Sequence, residues 1–330
     1  MILPVGDIIY IGGDFNALED NNGNTVTRNY FAAIDRVTGA PTSFNPNMED
    51  KVWTLTLSPD ESTLYAGGSF RAVGSESRNR VAAFNLASGA LLDFDIPAPN
   101  NVVRALAIED DTLYVGGAFV TVGGEDRERL AAISLSTGEL DEDWAPRASD
   151  TVKNIIVDPG KVWVSGDFFR INSERARGLT TVDPVDGTLL PIDSPDYWVI
   201  DMVAFENQIL VAGGGPGGTA AAWDRTTGQR QWQVSSNGNF QGVGAFGDYV
   251  YLGGHHTKVD TPSGRIDVGQ MSRHNRFTGD LDLGWLPFVN GIRGTNAVGV
   301  DANALYIGGD FTRVSGERQE GFAIFDQPRN

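Results

Sequence analysis

The chain has 330 residues, no Cys, 41 Gly, 15 Pro and a formal net charge of −18. Without Cys there is no disulfide framework and no thiolate metal or nucleophile chemistry, and the acidic balance argues against nucleic-acid backbones, which need clustered Lys and Arg. No run of about 18 apolar residues predicts a membrane-inserted helix, and Met1–Asp7 lacks the basic and apolar regions of a signal peptide.

Taken in chain order, the predicted elements are copies of one unit. The phrase Ile9-Tyr10-Ile11-Gly12-Gly13-Asp14-Phe15 returns as Leu64–Phe70, Leu113–Phe119, Val162–Phe168, Ile209–Gly215, Val250–His256 and Leu305–Phe311. Its second positions, 10, 65, 114, 163, 210, 251 and 306, are spaced by 55, 49, 49, 47, 41 and 55 residues, so the copies fill the chain. A second phrase follows the first: Phe31-Ala32-Ala33-Ile34-Asp35 before Thr38-Gly39, Val81–Asn85 before Ser88-Gly89, Leu130–Ser134 before Thr137-Gly138, and their counterparts to Phe322–Asp326.

Each unit reads as four short strands bounded by turn residues. The first is an apolar run such as Val103–Ile108 or Val152–Val157, the second is Tyr-x-Gly-Gly, and the third is Ala-Ala. The fourth follows the Thr-Gly turn and holds an aromatic or Pro, as in Phe44–Pro46, Trp144–Pro146 and Trp285–Pro287. The Asp or Asn opening that turn suits an Asx turn, and its Gly suits a positive φ. Apolar runs without in/out alternation fit sheets buried on both faces. The expectation is an all-β, seven-bladed β-propeller forming a single domain over residues 1–330, with four-stranded blades at 1–47, 48–98, 99–147, 148–195, 196–236, 237–289 and 290–330.

Leu113-Tyr114-Val115-Gly116-Gly117-Ala118-Phe119, with Val122-Gly123-Gly124, Arg127, Leu130–Ile133 and Thr137-Gly138, resembles the delta-60 repeat of bacterial β-propellers. The resemblance implies a propeller and a surface or secreted setting, and it carries over no catalytic residue. The Thr-Gly turn is also similar to that of quinone-cofactor propellers, which have eight blades and a regular Trp per blade. Here the aromatic of the fourth strand is irregular, and no cofactor is expected.

A propeller's ligand site is expected at its central channel or rim. The residue beginning each innermost strand should face the channel mouth: Trp53, Arg104, Lys153, Ile200, Gln241 and Asn296. Trp suits stacking, Arg and Lys suit carboxylates, and Gln and Asn suit hydroxyls, so a glycan or an acidic peptide is the expected ligand. Channel ends are also wet and polar in any propeller, which explains the same row without a ligand.

The three His, 255, 256 and 274, all fall in repeat six. His255 and His274 are expected on one sheet face, where with Asp260 they suit a divalent ion. Recurrent Asp14, Asp167 and Asp310, and Arg28, Arg78 and Arg127, read as salt bridges or loop anchors. Glu19–Asn24 reads as a polar hairpin tip, because it lacks calcium-loop spacing.

The seventh copy has no fourth strand of its own, so the last blade is expected to have three strands. Either residues 1–5 close it or a partner strand adds to the edge Phe322–Phe325 by β-augmentation. The leading functional expectation is a non-catalytic binding or structural module, secreted or at the cell surface, with a protein or glycan partner. The alternatives are a carbohydrate-active enzyme with a channel site and a metal-dependent lectin.

Overall fold

A computed structural model describes residues 1–20 and 22–326. The described residues form strands and turns without a helix, arranged as small antiparallel sheets. They make two compact units. One comprises Met1–Val164, Phe168–Ala176 and Thr181–Leu190, and the other Ser165–Asp167, Arg177–Thr180 and Pro191–Asn330.

Repeat three shows the unit plan. Val103–Glu109 pairs with Thr112–Gly117, which pairs with Leu130–Ser134. Repeat one follows the same plan, with Ile2–Val5 as its first strand, Ile2 opposite Ile11. The third strand ends in the expected Asx turn. In repeat two Asn85 Oδ1 accepts from Ser88 N at 2.9 Å, Gly89 N donates to Asn85 O at 2.8 Å, and Gly89 has φ +70°. Asp35, Asp224 and Asn275 open the same turn in repeats one, five and six.

The Gly-Gly pair is a matter of space. A Cβ on Gly67 would lie 2.7 Å from Val103 Cγ1, and one on Gly116 would lie 2.7 Å from Val152 Cγ1. The first glycine therefore lets the next repeat's first strand approach. The second clears its own repeat: a Cβ on Gly68 would strike the Lys51 carbonyl, and one on Gly117 the Val102 carbonyl. Ala82-Ala83 and Ala131-Ala132 are buried for the same close packing.

The fourth strand differs from expectation. Among the described residues a paired strand forms only in repeats four, at Leu189–Leu190, and five, at Arg230–Ser236. Elsewhere the segment makes one bridge, Ile34↔Pro41, Phe84↔Leu91, Ile133↔Leu140 or His274↔Leu281. These segments are rich in Pro and Asp, which strands disfavour. They are held by a ring instead: Phe44 on Tyr10, Phe94 on Tyr65, Trp144 on Tyr114 and Trp285 on Tyr251, all edge-on at 5.0 to 5.5 Å between centroids.

Between second and third strands most repeats project a small hairpin, as at Thr121–Val122 with Glu125–Asp126. Its inner residue bridges back to the tail of the previous repeat: Val73 to Met48, Val122 to Pro99, Ile171 to Ala148, Val259 to Ser236 and Val314 to Val289. Arg28, Arg78 and Arg127 anchor three of these hairpins. Each donates to the preceding carbonyl and to one in its own repeat's fourth segment, at Thr42, Leu92 and Asp141 respectively. In repeat seven Phe322–Asp326 is the outer strand of its sheet, with Ala323 buried and Phe322, Ile324 and Phe325 only partly so.

Candidate functional site

The expected channel row has a structural signature that sequence reading missed. Val52 pairs with Gly68 but Thr54 pairs with Gly67, which leaves Trp53 as the extra residue of a β-bulge. The same skip singles out Arg104, Ile200, Gln241 and Asn296 in their strands. A bulge bends its strand and re-aims the unpaired residue, so these residues occupy one repeated, non-ladder position beside the Gly-Gly end of the sheet. Lys153 holds the equivalent place in the first strand of repeat four and is half-buried. Asn296 is exposed and Ile200 is half-buried.

The residue after the bulge reaches the neighbouring repeat. Thr54 Oγ1 accepts from Leu106 N at 3.3 Å, and Asp201 Oδ2 accepts from Val243 N at 2.9 Å. Asp201 also accepts from Met202 N at 3.0 Å. Desolvation of its carboxyl pushes its pKa up to about 6 against the pull of those two N–H groups.

Within the first unit the row brings together an aromatic and cationic cluster. The Arg104 guanidinium lies 4.0 Å from the Trp53 ring centroid, and Lys51 Nζ lies 6.0 Å from it. Trp53 Nε1 donates to Ser69 Oγ at 2.9 Å, which fixes the indole. Lys51 pairs with Asp14 at 2.8 Å, and that hydrogen-bonded carboxylate holds the ammonium above its ordinary pKa. The sequence holds only four Lys. Two of them stand here, Lys51 just before the first strand of repeat two and Lys153 in the row itself, a scarcity signal that would have pointed to Lys51.

In the second unit Gln241 meets His255: its carboxamide lies 3.3 Å from Nδ1, while His255 Nε2 accepts from Asn239 N at 3.2 Å. The expected pairing of His255 with His274 does not form. His274 lies opposite Val250, whereas His255 lies beyond Gly253, which pairs with Met271. His255 is engaged by Asn239 N and the Gln241 carboxamide, and His274 by Ser272 Oγ and Gly279 O, so the two rings have different partners. Asp260, the expected third ligand, holds Arg265 through two N–H···O contacts at 2.5 and 3.2 Å. Among the described residues no group of three His, Asp or Glu is placed to hold a metal.

His274 and His256 meet instead across one hydroxyl. Ser272 Oγ is 3.0 Å from His274 Nε2 and 3.4 Å from His256 Nε2, and His274 Nδ1 lies 2.9 Å from Gly279 O. Both rings are buried, at sites that are Phe70 or Phe119 and Phe84 or Ile133 in other repeats. Burial lowers His256 to about 3 and His274 to about 4, so both are neutral at pH 7. In the Glu19–Asn24 tip, of which Asn21 lies outside the described residues, Asp20 Oδ1 accepts from Asn22 N and Asn24 N.

No protein-family model matches the chain, and no curated protein does. Among solved structures the crystal structure of the computationally designed Ika8 protein is similar, with a TM-score of 0.58 over 99% of this chain and 95% of that one. At 13% identity the likeness speaks for the all-β fold alone.

Proposed function

We propose that the chain is a seven-bladed β-propeller serving as a non-catalytic binding module in a secreted or cell-surface setting. One antiparallel sheet per repeat, with the first strand packed on a glycine of the repeat before it at Val52, Val103, Val152 and Thr295, supports the propeller reading. A last blade of three described strands leaves the Phe322–Phe325 edge as the place where a strand would add.

The observation that carries the binding reading is Arg104 stacked on Trp53 beside Lys51, with Lys153 in the next repeat's row. In a chain of net charge −18 this is a local concentration of cations around an aromatic face. It suits a glycan carrying carboxylates: guanidinium and ammonium groups take the acid, and the indole packs on the ring. Against a hydrolase, the carboxylate next to the row, Asp201, has both oxygens committed to backbone N–H groups.

Calorimetric titration with oligogalacturonide, a uronic-acid glycan, tests this. Binding is expected, weakening as ionic strength rises. It should be lost in the combined variant Trp53→Ala, Arg104→Ala, Lys153→Ala, with a cooperative unfolding transition retained and lowered only modestly by loss of the Trp53–Arg104 stack. Equal binding by that variant would place the site elsewhere, and no binding by the native chain would remove the acidic-glycan reading.

A further inference from the structure

Repeat five lacks the projecting hairpin. Twelve residues join second and third strands in repeats two, three, four and seven, sixteen do so in repeat six and eighteen in repeat one; here only Gly215-Pro216-Gly217 do so. Gly215 and Gly217 have φ of +153° and +101°, a turn that only glycine makes without strain. The short connection also accounts for the 41-residue spacing to repeat six.

Beside this gap stands Trp198. It is 37% exposed, one of the large apolar side chains left open to solvent. The indole is seated on backbone: a Cβ on Gly214 would strike Trp198 Nε1 and would lie 2.9 Å from Asn239 Cγ. One side of the ring thus has a glycine floor, and the rest faces outward where a hairpin stands in other repeats. Asn239 continues the surface to His255 through its N–H, and His255 continues it to Gln241.

The hydrogen bonds assign the donors. His255 Nε2 accepts from Asn239 N, so Nδ1 carries the ring proton, and the carboxamide end facing it is the oxygen of Gln241. The other end of that carboxamide, the NH2, then occupies the place that is buried without any partner. That end is closed off from solvent, so the carboxamide available beside the indole is that of Asn239.

We propose that this notch binds a neutral pyranose of a glycan chain. The half-exposed indole offers a flat apolar face to the C–H groups of a sugar ring, and the Asn239 carboxamide beside it offers a donor and an acceptor to its hydroxyls. The site is separate from the cationic cluster of the first unit and stands without it.

The test uses the full chain with cellohexaose, mannohexaose, maltohexaose and xylohexaose, followed by tryptophan fluorescence and acrylamide quenching. At least one should bind with little dependence on salt and shield a tryptophan that Trp198→Phe removes from the signal. Trp198→Ala should weaken that binding about tenfold or more, with the melting temperature unchanged. The variant Trp53→Ala, Arg104→Ala, Lys153→Ala should bind as the native chain does. Replacing Gly215-Pro216-Gly217 by the repeat-three segment Ala118–Arg129 should cover the notch and block binding while leaving oligogalacturonide binding intact. Absence of binding for all four hexasaccharides, or equal binding by Trp198→Ala, would overturn the proposal.

Discussion

Arg104 lies over Trp53 with its guanidinium carbon 4.0 Å from the ring centroid, and both are the extra residues of bulges in consecutive repeats. The pair therefore links two sheets through residues that leave the ladder. For a half-exposed cation–π contact the coupling should be about 0.5–1 kcal/mol. A double-mutant cycle of Trp53→Ala and Arg104→Ala, read by chemical denaturation, is expected to return that value. A coupling of zero would mean that the stack contributes no stability.

The Gly-Gly geometry makes a sharper prediction. Gly116→Ala places a methyl 2.7 Å from Val152 Cγ1 and 3.0 Å from Ile155 Cδ1 in a packed core. Overpacking of this kind costs about 1–3 kcal/mol. Adding Val152→Ala should return part of the loss, because it removes the struck methyl; a purely additive double variant would show that the two sheets do not meet there.

Arg127 donates to Asp126 O at 2.8 Å and to Asp141 O at 3.0 Å and is nearly buried. The fork geometry, not the charge, holds the hairpin to the fourth segment. Arg127→Lys is expected to lose about 1–3 kcal/mol, close to Arg127→Ala. Hydrogen exchange at Arg127 and Gly123 should rise in both; full protection in the Lys variant would assign the effect to charge.

Much of this fold is legible in the chain. The turn chemistry of Asn85, Ser88 and Gly89, the small residues at Gly116-Gly117 and the repeat spacing are local signals, and the structure uses each where the sequence places it. The bulges are not local. Trp53 and Arg104 become special only when the opposing Gly-Gly strand fixes the register. The His255–His274 expectation considered only which face each residue points to, whereas the chain leaves the strand after Gly254 and the two rings take different partners. The fourth strand was over-read because Phe44 and Trp144 look like strand residues, while Pro and Asp around them prevent a ladder. The missing hairpin of repeat five was visible as a run of five glycines around Pro216, and its meaning appears only with Trp198 beside it.

The buried His pair predicts how stability depends on pH. In the unfolded chain His256 and His274 take protons near pH 6.5, whereas in the folded chain they resist to about 3 and about 4. Between those limits the unfolded state binds more protons, so stability falls on acidification, by about 1.4 kcal/mol per pH unit for each such proton. Asp201 acts in the opposite direction. Its folded carboxyl protonates near 6 against an ordinary 3.8, so the folded state takes a proton first and gains stability as pH falls through that window. From about pH 6 to 4 the three groups together leave the equivalent of one excess proton on the unfolded state, a net slope of roughly 1.4 kcal/mol per unit. Surface carboxylates also titrate there, so the measurement is the difference between variant and native denaturation midpoints at each pH. The combined variant His256→Phe, His274→Ile installs residues that other repeats carry at these sites, Phe119 and Ile133. It should show no loss below pH 6.5 from this source and should gain steadily on the native chain as pH falls. Asp201→Asn follows Asn154, the counterpart in repeat four. It should lose stability on acidification more steeply than the native chain does. Parallel curves for all three proteins would show that these side chains are not buried as described.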